Sequence, residues 1–193
     1  MQKFDIMVEI SAKHVHLSAA DVEILFGKGE KLTLKRELSQ PGEFLSEQRI
    51  TLVGPKRSLE NVAVLGPERP ASQIEVSFTD ARTLGAENVP VRQSGDLAGS
   101  APIKLVGPCG EVELNEGMII AKRHIHLVPA TAEKYGLKDK DIISVEIPGE
   151  RALSFGETVV RVRETFADAM HIDYDEANAA GLSATSTGSV ICE

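Results

Sequence analysis

The stretch Ile120-Ala121-Lys122-Arg123-His124-Ile125-His126-Leu127 combines a His-x-His pair with an apolar, β-branched run. The same pattern occurs near the N-terminus, as Ser11-Ala12-Lys13-His14-Val15-His16-Leu17. Side chains alternate faces along a strand, so each pair predicts two imidazoles on one face. The pairs use four of the five histidines, and the fifth, His171, lies in another strand-like run. Because histidine is the commonest metal-binding side chain, this usage predicts a metal site.

The two stretches also indicate an internal duplication. The order strand, His-x-His-Leu, short helix, glycine, charged turn and strand starts near residue 8 and again near residue 118. A second repeat is Leu-Val-Gly-Pro, which occurs at residues 52–55 and again at residues 105–108. Many short strands with Gly and Pro turns are typical of closed or nearly closed β-structure. We therefore expect a mainly β protein with short helices, in which two similar β-barrel domains each carry a capping helix.

A small, polar segment at residues 92–100 predicts a domain boundary or a long loop between strands. We place the first barrel at residues 1–95, with the His14/His16 strand, and the second at residues 96–193, with the His124/His126 strand. An exchange of strands between the barrels stays open at this point. Each His pair is expected within one continuous strand, at residues 4–17 and 118–128.

Helix boundaries follow from capping residues. Ser18 is suited to cap a short helix that Gly27 ends, and Asp173 to cap a last helix that Gly181 ends. Pro129 suits the first position of a further helix.

Composition limits the class of protein. The 193 residues carry 42% hydrophobic residues and a net charge of −8, which argues against a nucleic-acid partner because that role needs a basic face. Cys109 and Cys192 lie outside any C-x-x-C pattern, so we expect neither a disulfide framework nor a thiolate zinc site. No apolar run approaches a membrane span and the first residues lack a signal-peptide pattern, so a soluble cytoplasmic protein is expected.

The residue pattern leaves the metal and its neighbours open. Nitrogen and oxygen donors favour zinc, with cobalt, nickel and iron as alternatives. Five imidazoles and a carboxylate exceed the needs of one tetrahedral ion, so either two ions or one ion with spare histidines is implied. Arg69 and Glu75 flank a turn into a strand. They are either a surface charge pair or a metal ligand with an arginine suited to a planar oxyanion such as phosphate.

Four segments together resemble the phosphate propanoyltransferase (PduL-type phosphotransacylase) family. The resemblance covers essentially the whole chain, in order, and its His-x-His segments with their following helices are specific. The segments are Ala12-Lys13-His14-Val15-His16-Leu17-Ser18, Arg69 with Gln73-Ile74-Glu75, Ala121-Lys122-Arg123-His124-Ile125-His126, and His171-Ile172-Asp173 with Glu176-Ala177-Asn178.

The resemblance implies transfer of a short acyl group between coenzyme A and phosphate, by two β-barrel domains with a pair of zinc ions between them. It implies His14 and His16 as ligands of one ion, and His124, His126, His171 and Glu75 as ligands of the other. Arg69 corresponds to an essential phosphate-facing arginine, and Ser11 and Asn178 fall where coenzyme A is expected.

Two rival functions remain: a zinc-dependent thioesterase or other hydrolase, and a non-catalytic metal-binding double β-barrel. The cytoplasm and the lumen of a bacterial microcompartment both stay open as locations. Packaged members of the family carry an amphipathic N-terminal extension, and here the first predicted strand begins within a few residues of Met1. Packaging by that route is therefore in doubt, and association with a microcompartment shell stays open. Exposed strand edges also leave a homodimer open.

Overall fold

The computed structural model describes residues 2–192 as strands joined by short turns and helices. The strands are β1 (Gln2–Ser11), β2 (His14–Ser18), β3 (Leu34–Glu37), β4 (Phe44–Val53), β5 (Ser58–Arg69), β6 (Gln73–Glu75), β7 (Val91–Arg92), β8 (Ala101–Val106), β9 (Glu111–Ala121), β10 (His124–Leu127), β11 (Ile142–Ile147), β12 (Leu153–Val162), β13 (Ala169–Asp173) and β14 (Ser186–Cys192). The helices are α1 (Ala19–Phe26), α2 (Phe78–Leu84), α3 (Pro129–Lys134) and α4 (Tyr174–Ala180).

The chain divides into two compact units. The first unit contains the described residues up to Ala12 together with those from Lys122 onward, and the second contains Lys13–Ala121. The boundary expected between residues 95 and 96 therefore falls inside the second unit. The physical reason is strand pairing: β8 and β9 complete the barrel of the second unit, whereas β1 pairs with β13 and β14.

The first unit is a closed barrel of six strands, in the order β1-β13-β10-β12-β11-β14. β1 runs parallel to β13 and antiparallel to β14, and β10 runs parallel to β12 and antiparallel to β13. Aliphatic side chains fill the interior, among them Val8, Ile125, Met170 and Val190, all fully buried.

The second unit is also a six-stranded barrel, and two further strands pair with it: β3 with β4 and β7 with β9. Its ring runs β4-β5-β2-β6-β9-β8, and β8 closes it by pairing back onto β4. The core is again aliphatic, with Val15, Leu52, Ile74 and Leu105 fully buried. The expected fold class, mainly β with two similar barrels, is confirmed.

The strand register shows the duplication residue by residue. In the second unit β2 lies between β5 and β6, and His14 pairs with Ala63 on one side and Glu75 on the other. In the first unit β10 lies between β12 and β13, and His124 pairs with Val159 and His171. Leu17 and Leu127, which follow the two His pairs, are both fully buried. Glu75 and His171 thus occupy corresponding positions.

The prediction of continuous strands at 4–17 and 118–128 is wrong at one point in each. β1 ends at Ser11 and β2 begins at His14, while β9 ends at Ala121 and β10 begins at His124. At both breaks the chain passes from one unit to the other. The polar residue before each pair forms an ion pair within its unit: Lys13 with Asp80 and Arg123 with Glu176.

The capping predictions are confirmed. Ser18 caps α1 by accepting a hydrogen bond from Asp21 N–H, and Gly27 ends that helix. Asp173 caps α4, and Gly181 ends it in the left-handed conformation that favours glycine. Helix α2 was not predicted from the sequence, and it begins at a capping box formed by Ser77 and Asp80.

Both copies of the Leu-Val-Gly-Pro repeat lie in the second unit, so this repeat does not correspond to the duplication of the two barrels. Gly54 follows β4 and Gly107 follows β8, and both belong to the second unit. A Cβ at Gly54 would overlap the carbonyl of Leu84 at the end of α2, and one at Gly107 would overlap the carbonyl of Leu25 in α1. The two glycines therefore allow close packing of each helix end against the barrel.

Candidate active site

A compact donor set lies on the paired strands β2 and β6 of the second unit. His14 and His16 point to one face of the strand, and Glu75 is the residue paired with His14 on β6. One ligand atom from each of these three side chains lies within 4.8 Å of the others. The His14 Nε2 and Glu75 Oε2 atoms are 3.4 Å apart. The exposed fractions of the three residues are only 8%, 2% and 9%.

The electrostatics of His16 keep its imidazole neutral. Burial lowers its pKa well below the usual value, and the neighbouring His14 and Arg69 lower it further, against an opposing effect of Glu75. Its Nδ1 atom is buried and finds no hydrogen-bond partner in the part of the chain that the structure describes. A neutral ring with an unpartnered nitrogen, beside a carboxylate, fits a borderline metal ion such as zinc.

A second cluster contains the other three histidines, in the first unit. The ring centroids of His124 and His126 are 4.7 Å apart, and those of His124 and His171 are 5.3 Å apart. The His126 and His171 centroids are 4.9 Å apart. The two strands explain this proximity, because His171 on β13 pairs directly with His124 on β10.

His126 is the most constrained of these imidazoles. Its ring stacks on Phe166 at 4.0 Å between centroids. Burial lowers its pKa to about 2, with further lowering from His124, His171, Arg161 and Arg163. Among residues 2–192 neither ring nitrogen has a hydrogen-bond partner. This orphaned, neutral imidazole also fits a metal ligand.

The Nδ1 atom of His124 lies 2.9 Å from the carbonyl oxygen of Lys122. A proton on Nδ1 would make that bond and leave Nε2 as the coordinating atom. His171 has a carboxylate nearby, since its Nδ1 lies 3.8 Å from Oε2 of Glu9.

Arg69, at the end of β5, is connected to the first donor set by continuous hydrogen bonds. Its Nη1 donates to Ser94 Oγ (3.1 Å), and its Nη2 donates to Glu43 Oε1 (3.2 Å). Gln73 Nε2 donates both to Ser94 Oγ (2.8 Å) and to Glu75 Oε1 (2.6 Å). The arginine is thus part of the surroundings of His16 and Glu75, with 28% of its side chain exposed.

Three residues of this network carried no functional role in the sequence-based reasoning. Glu43 was not singled out, Ser94 lies in the segment predicted as a domain boundary or long loop, and Gln73 appeared only as part of a family motif. The spacing of Gln73 and Glu75 is the one signal available in the sequence, because residues two apart on a strand share a face.

The two residues expected near coenzyme A both lie in the first unit. Ser11 ends β1 and pairs with Asp173, the N-cap of α4. Asn178 is an exposed residue of that helix. The structure therefore brings Ser11 next to the start of the element that carries Asn178.

Fold and site together define a class: a duplicated β-barrel protein with one compact cluster, His14, His16 and Glu75, that could hold a metal ion and that is linked to an arginine. Comparison with known proteins gives the family. A family model described as Phosphate propanoyltransferase matches residues 7–183.

Relatives with the same name cover nearly the whole chain. A phosphate propanoyltransferase of Clostridioides difficile (strain 630) is 50% identical over 96% of this chain and 88% of the relative. Those of Listeria monocytogenes and Thermotoga maritima are 49% and 52% identical, over 95% and 92% of this chain and 86% and 84% of the relatives. The chain belongs to the phosphate propanoyltransferase family, which confirms the resemblance and makes the protein an acyltransferase.

Within residues 2–192, every helix is too short or too polar to cross a membrane.

Proposed function

We propose that this chain catalyses the reversible reaction acyl-CoA + phosphate ⇌ acyl phosphate + CoA, with propanoyl and acetyl groups as substrates. The names of its relatives support the phosphotransacylase reaction. The observation that carries the proposal further is the chain of hydrogen bonds from Arg69 through Ser94 and Gln73 to Glu75. This network links a guanidinium, a group suited to phosphate, to a carboxylate that could bind a metal ion, and so supports the proposal.

In this proposal the protein holds two zinc ions. His14, His16 and Glu75 hold one, and His124, His126 and His171 hold the other. This assignment moves Glu75 from the second ion to the first, since Glu75 lies with His14 and His16 within the same unit. Bound zinc would supply Lewis-acid polarisation of a carbonyl or phosphate oxygen.

Arg69 binds the phosphate substrate. Phosphate is a poor nucleophile in water because it is strongly solvated, so it must be bound, partly desolvated and oriented. A guanidinium presents parallel N–H groups that match two phosphate oxygens. Glu43 and Ser94 hold that guanidinium at the end of β5 and so restrict its orientation.

The acyl group transfers by direct attack in a ternary complex. A phosphate oxygen forms the bond to the acyl carbon, the carbon–sulfur bond breaks, and its electron pair leaves on the sulfur of coenzyme A. No cysteine nucleophile needs to be invoked, because Cys109 and Cys192 lie outside the histidine and arginine motifs. Ser11 and Asn178 contact coenzyme A in this scheme.

A coupled assay of propanoyl-CoA and acetyl-CoA with phosphate, with zinc quantified on the same sample, tests the proposal. Acyl phosphate formation that stops on chelation and returns with zinc is expected. A hydrolase would release free acid without needing phosphate, and a non-catalytic metal protein would show no thermal shift with coenzyme A. A metal-free preparation with full activity would refute the zinc-assisted scheme.

A further inference from the structure

Gln73 lies in the interior of the second unit, and both polar atoms of its amide group are hydrogen-bonded. Only 1% of the residue is exposed. Its Nε2 donates to Glu75 Oε1 (2.6 Å) and to Ser94 Oγ (2.8 Å), while its Oε1 accepts from Gly95 N–H (2.7 Å). The orientation of the amide is fixed by these partners, since a flipped amide would place its oxygen against a carboxylate and its nitrogen against an N–H.

The barrel itself does not require a glutamine at this position. Gln73 pairs with His16 across the β2–β6 ladder. In the first unit the residue that pairs with the corresponding His126 is Ala169. The same six-stranded closure therefore forms around an alanine, which indicates that Gln73 serves a local purpose.

The role of Gln73 follows from the two groups to which its Nε2 donates, the Glu75 carboxylate and the Ser94 hydroxyl. The bond to Glu75 engages Oε1, and the other carboxylate oxygen, Oε2, faces His14 Nε2. The bond to Ser94 engages a hydroxyl that also accepts from Arg69 Nη1. One amide thus joins the carboxylate of the donor set to the loop that holds the arginine.

We propose that Gln73 is a positioning residue that holds the Glu75 carboxylate and, through Ser94, the Arg69 guanidinium in a common arrangement. The inference rests on the proposed function and adds a coupling to it: zinc affinity and phosphate affinity depend on one side chain. Hydrogen-bond partners of metal ligands typically change metal affinity by about 10–100-fold. Misplacement of a substrate-binding group by about 1 Å can cost about 100-fold in rate.

Two Gln73 variants and one Ser94 variant separate the effect on Glu75 from the effect on Arg69. Gln73→Ala introduces the residue found at the corresponding position of the first unit, and Gln73→Met keeps the side-chain length without the amide. Both variants are expected to weaken zinc binding by about 10-fold or more and to raise the KM for phosphate. Ser94→Ala should raise the KM for phosphate while zinc affinity stays at the wild-type value, because Gln73 still donates to Glu75.

Gln48 offers a matched control in the same unit. Its amide also makes three hydrogen bonds: Oε1 accepts from Thr33 N–H (3.0 Å), and Nε2 donates to the Lys31 carbonyl (3.0 Å) and to Thr33 Oγ1 (3.3 Å). Gln48→Ala removes a comparable set of bonds that includes no donor-set residue. It is expected to lower thermal stability while zinc affinity, kcat and the KM for phosphate stay at wild-type values.

The full-length chain is used for every measurement. Zinc affinity is measured by competition with a chromophoric chelator, and kcat and KM are measured for phosphate and for propanoyl-CoA. Wild-type zinc affinity in both Gln73 variants would overturn the proposal, whether or not the wild-type protein forms acyl phosphate. The same loss of zinc in Gln48→Ala would overturn it too, because the effect would then be general destabilisation. If the wild type forms no acyl phosphate but the Gln73 variants bind zinc more weakly, the proposed function is refuted. The inference that Gln73 positions Glu75 would still hold.

Discussion

Mild acid should destabilise the metal-free protein through His126. In the folded chain its pKa is lowered to about 2, first by burial and then by His124 and His171. In the unfolded chain a histidine has a pKa of about 6.5. The unfolded state therefore binds more protons than the folded state between about pH 6.5 and pH 2, so stability falls as the pH falls through that window. At about pH 5 the loss from this one residue is about 2 kcal/mol relative to neutral pH.

The chain contains a natural probe for this unit. It has no tryptophan and two tyrosines, Tyr135 and Tyr174, both in the unit that holds His126. Tyr135 stacks on Phe4 with ring centroids 4.1 Å apart and packs against the core of that barrel. Tyrosine fluorescence during urea unfolding of chelator-treated protein thus reports the stability of the relevant barrel.

His126→Asn is the matched control, since it removes the titrating ring and leaves the other ionisable groups in place. Between about pH 7.5 and pH 5, the free energy of unfolding of the wild type should fall by about 2 kcal/mol more than that of the variant. Equal pH dependence in the two proteins would refute the reasoning, because it would mean that His126 is protonated as readily in the folded state as in the unfolded state.

Three further predictions concern metal, substrate and core. Arg69→Ala should lower kcat/KM by about 100-fold or more, since it removes charge-assisted bonds to phosphate, while elemental analysis finds unchanged zinc; full activity would make Arg69 a surface charge. Glu75→Gln should reduce bound zinc from two equivalents to one after dialysis against a weak chelator, because the neutral amide is a poorer ligand; two retained equivalents would exclude Glu75 as a ligand. Leu127→Ala should lower the free energy of unfolding of its barrel, followed by tyrosine fluorescence, by about 2–5 kcal/mol; a loss below about 1 kcal/mol would contradict its placement in the core.

Local sequence signals predicted the elements that depend on local physics. The alternation around His14 and His124 gave strands, because side chains two apart share a face. Ser18 and Asp173 gave helix starts, because their side chains satisfy free N–H groups of the first turn. The duplication was visible since both halves repeat these signals in the same order.

Strand pairings and hydrogen bonds between residues distant in sequence could not be predicted from such local signals. Nothing in residues 2–11 specifies that β1 joins β13 and β14 instead of the strands that follow it along the chain. The boundary expected at residue 95 relied on a polar segment, and that segment is a loop within one barrel, whose Ser94 joins Arg69 to Gln73. These two hydrogen bonds link three separate segments of the chain and depend on tertiary proximity, which composition does not encode.

The duplicated scaffold explains why the two donor sets are alike, and single substitutions at matched positions explain how they differ. In the proposed two-zinc arrangement the third donor would be Glu75 in one unit and His171 in the other, at the same register position. With zinc bound, two neutral imidazoles and a carboxylate leave a net charge of about +1, whereas three neutral imidazoles leave about +2. The proposed set with Glu75 would therefore attract an anion less strongly, and it is the set connected to Arg69. Identical His-x-His pairs could not reveal this difference, because the deciding residue comes from another strand.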